Sequence, residues 1–177
     1  MRFLKFLCAS AAVAVLLNLA GCATSATSQA MTVKPGTTGT VNPKLKGAVK
    51  LADVTGGKET SPLWTSQVDN AGFKKALLDS LAISGYLAAD ANQAKYSVSA
   101  DLVALEQPLF GFTFDVKSDV NYKLSGPVGA RAYPVKATGT ATVSDAFAGV
   151  ERLRIANERS VLENIKAFIS ELAAFAD

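Results

Sequence analysis

The chain has 177 residues, 49% of them hydrophobic and 19% charged, with a net charge of +3. That length holds one domain with a sizeable core, and the composition excludes a polar or acidic disordered chain. The absence of histidine excludes Ser-His-Asp and Cys-His triads, HExxH zinc sites and imidazole acid–base chemistry.

Residues 1–21 read as an export signal. Arg2 and Lys5 form a positive start, an apolar run extends from Phe6 to about Leu19, and Leu19-Ala20-Gly21-Cys22 closes it. The run is interrupted by Ser10 and Asn18 and is shorter than the roughly 20 apolar residues that span a bilayer. LAGC closely resembles the lipobox of bacterial lipoproteins. The resemblance implies cleavage before Cys22, two acyl chains on its sulfur and a third on its new amino group. With Ala23 rather than Asp in the next position, it also points to the outer membrane. Loss of Arg2 and Lys5 lowers the net charge from +3 to +1, so the basicity is no argument for a nucleic-acid partner. Cys8 leaves with the signal and Cys22 is lipidated, so no thiol remains for a disulfide or a metal.

Residues 22–46 then form the lipidated cysteine and a segment rich in Ala, Thr, Ser, Gly and Pro. Such a composition predicts a flexible tether with a coil dimension of about 27 Å. The globular domain is expected over 47–177. A first strand is predicted near Ala48–Val54, ended by Gly56-Gly57. A helix follows over about Ser66–Ser84, with Phe73, Ala76, Leu77, Ser80, Leu81 and Ser84 on its inner face and Gly85 as the left-handed stop.

Three strands are predicted next. One covers about Lys95–Leu105, with Tyr96, Val98, Ala100 and Leu102 inward, and is stopped by Pro108. In the second, Phe112, Phe114, Val116, Val120, Tyr122 and Leu124 alternate with polar residues, and Ser118 is the one exception on the apolar side. After a turn at Gly126–Gly129, the third runs about Ala130–Val143, with Tyr133, Val135, Ala137, Ala141 and Val143 inward. Pro134 marks its early part as an edge or a bulge. A closing helix over about Val150–Ala176 carries Val161, Ile165, Phe168, Leu172 and Phe175 inward. Arg152, Arg159, Glu163, Lys166 and Ser170 fall on the opposite face, and the ends are expected to overhang the sheet. The order β-α-β-β-β-α predicts an α+β two-layer sandwich: a four-stranded, mostly antiparallel sheet with two helices on one face.

No pattern carries catalysis, a cofactor or a metal. Asp115 and Asp119 alternate with lysines on a solvated strand face, and no glycine pair is followed by a phosphate-loop Lys-Ser/Thr. Two features are less bland. Arg154, Asn157 and Glu158 fall on the apolar side of the last helix, with Asn164 at its margin. They read either as a solvated overhang with an Arg154–Glu158 pair or as a polar network against the sheet edge or a partner. Trp64, Leu109, Phe110 and Phe147 are large apolar residues at turns. They either tuck over the ends of the core or form an exposed docking patch.

The lipobox, the Thr/Ser-rich segment and the compact domain resemble small Gram-negative envelope lipoproteins. The residues Gly56-Gly57, Pro62-Leu63-Trp64, Phe73, Ala76-Leu77, Ser80-Leu81, Arg154, Ala156-Asn157-Glu158, Asn164-Ile165 and Phe168 look like one group of these, without assigned function. In outline the architecture is similar to the lipoprotein plug of the lipopolysaccharide-assembly translocon and to auxiliary lipoproteins of envelope ABC transporters. The resemblance implies a non-enzymatic accessory, held to the membrane through acylated Cys22 and bound to an envelope protein complex. Trp64, Leu109, Phe110, Arg154, Asn157 and Glu158 are its candidate partner surface. A carrier of a lipid or other amphiphile, and more remotely an enzyme without histidine chemistry, are the alternatives.

Overall fold

The computed structural model describes residues 23–61 and 65–176. Four strands, β1 (Val49–Thr55), β2 (Tyr96–Glu106), β3 (Thr113–Gly126) and β4 (Gly129–Thr142), form one sheet in the order β1-β2-β3-β4. β1 lies parallel to β2, and the other pairs are antiparallel. The short α1 (Ser28–Met31) packs against two longer helices, α2 (Asn70–Ile83) and α3 (Gly149–Ala173), which pack on the sheet. The α+β class, the element order and the mostly antiparallel sheet are as the periodicities predict.

Local chemistry sets the boundaries. α2 starts later than expected, at Asn70, because the Asp69 carboxylate accepts from the Gly72 amide at 2.6 Å and caps the first turn. It ends as predicted at Gly85, whose φ of 79° lets the Tyr86 amide donate back to Leu81 O. β2 shifts register between Leu102 and Ala104, and the irregularity changes the phase of the alternation so that Leu105 packs against the core. Pro134 sits on the edge strand β4, where its missing N–H is tolerated.

The core lies between the sheet and α2 and α3. The Tyr122 and Phe168 rings stack with centroids 3.9 Å apart, amid Phe73, Leu77, Leu81, Ile165 and Leu172, all fully buried. Ser118, the break in β3's alternation, is buried for a reason. Ser160 Oγ lies 2.9 Å from Ser118 Oγ, and Asn164 Nδ2 donates to Ser118 Oγ at 3.1 Å and to Val135 O at 3.0 Å. The Tyr122 hydroxyl donates to Asn164 Oδ1 at 2.9 Å, and burial holds that phenol well above its ordinary pKa. A polar seam therefore joins α3 to β3 and β4.

Several expectations need correction. Phe112 and Val143 are exposed, because β3 starts at Thr113 and β4 stops at Thr142. Arg152 is buried rather than solvated. The segment expected as a tether is docked: Ala23, Ala26, Met31, Val33 and Leu45 are all buried. Its large apolar residues are few but almost wholly covered, and its polar residues find partners. Ser80 Oγ accepts from the Val33 amide at 3.2 Å, and Asn42 Nδ2 donates to Ala173 O and Phe175 O at the C-terminus of α3. Composition alone missed this because it weighs how many apolar groups there are, not how completely each is buried.

Candidate functional site

The first three turns of α3 hold Arg154, Asn157 and Glu158. Asn157 is fully buried. Its Nδ2 donates to Ser66 O at 3.0 Å, and its Oδ1 accepts from Gln107 Nε2 at 2.8 Å. Gln107 Nε2 also donates to Ser66 O at 2.9 Å, and Gln67 Nε2 donates to Gln107 Oε1 at 3.2 Å. Glu158 Oε1 accepts from the Thr27 amide at 2.8 Å, from Thr27 Oγ1 at 2.9 Å and from Arg154 Nη1. Arg154 bridges Glu158 and Glu151. The Glu151 carboxylate raises the pKa of the guanidinium, which in turn lowers that of Glu151.

The front of α3 is therefore a polar network rather than a solvated overhang. Its partners are the residues before α2, the residue after β2 and the docked N-terminal segment. The network is directed inward, and Glu158 acts as a clamp on Thr27. Glu158→Gln keeps the shape but removes the charge shared by three donors. We expect about 1–2 kcal/mol of destabilisation, with amide exchange accelerated first at Ala26–Val33. Unchanged exchange there would mean that the segment is held by its apolar residues alone.

Sequence reading missed Gln67, Gln107 and Thr27, since an amide or a hydroxyl beside a turn has no periodicity to betray it. It also misplaced Arg152. This guanidinium lies over the Phe114 ring, 5.1 Å from its centroid. Its Nη1 donates to Ala146 O at 3.0 Å and Phe147 O at 2.6 Å, and its Nη2 to Gly111 O at 3.1 Å. One buried cation thus joins the loop before β3 to the loop after β4. These loops leave the same end of the sheet, where Thr113 pairs with Thr142. Arg159 ties the second loop down again, donating to Asp145 at 2.6 Å. That guanidinium and the Thr142 amide hold the Asp145 carboxyl at about 2.

The loops carry Leu109, Phe110, Phe112 and Phe147, exposed to 90%, 85%, 82% and 95%. Leu109, Phe110 and Phe147 are therefore exposed at one end of the sheet and do not tuck over the core; the structure adds Phe112. The signal for Phe112 was present, since Pro108 and Gly111 just before it delay the strand. Arg154, Asn157 and Glu158 belong to a different, internal cluster. Trp64 and Cys22 lie outside the described residues. An open groove of about 1020 Å³ runs between α1, α2 and α3, lined by Val33, Ile83, Ile155 and Leu162 and rimmed by Lys34, Lys75 and Asp79. Among the described residues no group of three or more Cys, Asp or Glu stands together as a metal site, and no helix is long and apolar enough to cross a membrane.

No protein-family model matches the chain. No curated protein matches it either. Among solved structures, it is similar to a hypothetical protein from Chlamydia trachomatis, with 15% identity and a TM-score of 0.46, covering 73% of this chain and 94% of that one. It is also similar to a "putative lipoprotein" from Caulobacter crescentus, with 14% identity and a TM-score of 0.43, covering 72% and 89%.

Proposed function

We propose that this chain is a non-catalytic envelope lipoprotein, acylated on Cys22 and anchored in the outer membrane with its domain in the periplasm. The observation that carries the reading is the Leu19-Ala20-Gly21-Cys22 lipobox behind a charged start and an apolar run. The polar cluster on α3 is turned inward, its side chains spent on packing and on each other, so the partner surface is sought elsewhere. A protein of envelope assembly or transport is the proposed partner. The outer edge of β4 suits it, since an edge strand can pair with an added one, whereas β1 already pairs at Val49 with Leu87.

A second reading, a carrier of an amphiphile, is favoured by the groove between α1, α2 and α3. The space between helices and sheet, by contrast, is filled by core side chains such as Tyr122 and Phe168. Native mass spectrometry of the protein extracted gently from membranes separates the two. We expect a chain beginning at an acylated Cys22 and accompanied by a reproducible protein partner. A non-covalent lipid without a protein would establish the carrier instead, and an unmodified amino terminus would overturn the lipoprotein reading.

A further inference from the structure

Four large apolar side chains at the tips of two loops expose on the order of 600 Å², at the upper limit for the largest patch of a typical monomer. They are not loose. Arg152 holds the carbonyls of Gly111, Ala146 and Phe147 on one guanidinium, and Phe114 lies beneath it. An apolar tip pinned at its base and covered by no described residue calls for an occupant.

The path of the N-terminal segment says which. The Ala26 amide donates to Gln67 O at 3.0 Å, the Gln67 side chain bonds that of Gln107, and Leu109 follows two residues later. Three residues of chain separate Ala26 from Cys22, a reach of no more than about 14 Å. The described chain therefore begins at the end of the sheet that carries the apolar tips. Charge agrees. Residues 107–112 carry no charged side chain, and 143–148 carry only Asp145, which is paired with Arg159.

We infer that Leu109, Phe110, Phe112 and Phe147 dip into the bilayer beside the acyl chains of Cys22, so that the domain sits on the membrane in one orientation. This rests on the lipoprotein reading, and it replaces a domain swinging on a coil with one docked at two points. Apolar side chains at this depth lie at the boundary between headgroups and acyl chains. The β3–β4 turn, with exposed Val128, is at the other end of β3, about 43 Å away at the rise of a strand, and faces the periplasm.

The test uses the full chain with one added thiol at Phe110→Cys, Phe147→Cys or Val128→Cys, each an exposed position. The protein is expressed with its signal and reconstituted in vesicles of phosphatidylethanolamine and phosphatidylglycerol, and the thiol carries a fluorophore quenched by aqueous iodide. Intact mass reports acylation of Cys22 separately, so loss of the anchor is recognised as failure of the lipoprotein reading. In acylated protein, quenching at 110 and 147 is expected to be lower than at 128 by roughly fivefold or more, as for side chains buried in the interface. Equal quenching at all three sites would overturn the inference while leaving the lipoprotein intact. Protection at 110 and 147 seen in native membranes but absent in the vesicles would assign the tips to a protein instead.

Discussion

Replacing Gly139 with alanine is expected to destabilise the fold by about 3 kcal/mol. At 2–4 °C per kcal/mol for a chain of this size, the melting temperature falls by roughly 6–12 °C. The effect is not one of strand propensity, since alanine is no worse than glycine in a strand. Gly139 lies in β4 directly under α3. An added Cβ would collide with Ser160 N and Ala156 O and stand 2.7 Å from Arg159 C. All three are backbone atoms of a helix, so no side chain can swing aside. α3 would have to lift off, weakening the contacts of Val161 and Ile165 and the bond between Ser160 and Ser118. Gly39→Ala, where nothing lies within 4 Å, is the control and should stay within about 0.5 kcal/mol. Thermal melts of both variants decide the matter. If G139A melts within about 2 °C of the parent, the close seating of α3 on β4 contributes little.

The second large effect is expected at Asn164. Asn164→Ala leaves the Tyr122 hydroxyl without its acceptor and the Val135 carbonyl without its side-chain donor, in a fully buried site. Each orphaned buried group costs about 1–3 kcal/mol, and the vacated volume adds to that. A loss of about 3–4 kcal/mol in chemical denaturation follows. Tyr122→Phe removes the hydroxyl without opening a large cavity but leaves Asn164 Oδ1 without that donor, so it should cost less, about 1–2 kcal/mol. In the double variant the hydroxyl is no longer stranded. The two losses should then fall short of additivity by about 1 kcal/mol or more. Strict additivity would show that the Tyr122–Asn164 bond does not hold the seam together.

Gly139 and Asn164 also mark how far local pattern reaches. The strands and helices were legible because their side chains repeat every two or every three to four residues. Capping and stop signals such as Gly85 placed ends to within a few residues. Ser118 stood out against the alternation of β3, but nothing local says that its partners are Ser160 and Asn164, some forty residues on. Gly139 looked like any strand glycine, and the helix backbone above it is what makes it special. Phe112 was misassigned because the regular alternation was begun directly after Gly111, where the chain is still turning.

The candidate site divides in the same way. Leu109, Phe110 and Phe147 were recognisable as large apolar residues at turns, and Arg154, Asn157 and Glu158 as polar residues on an apolar helix face. Their fates were opposite. The first group stays in solvent because the loops that carry it are pinned by Arg152 beyond the edge of the core. The second is covered because Ser66, Gln107 and Thr27 come to it from three distant places in the chain.

By itself the sequence determined the element order, the inner faces of most helices and strands, the absence of histidine and a Leu19-Ala20-Gly21-Cys22 stretch that resembles a lipobox. These follow from short-range rules: side-chain period, turn residues, composition and a contiguous motif. Only the tertiary structure decided that residues 26–45 pack along α2 and α3, that Arg152 is buried and that the two loops with exposed apolar tips leave the same end of the sheet. Each of those depends on contacts between residues far apart in the chain. Whether a group is covered or left in water is set by what the rest of the fold brings to it.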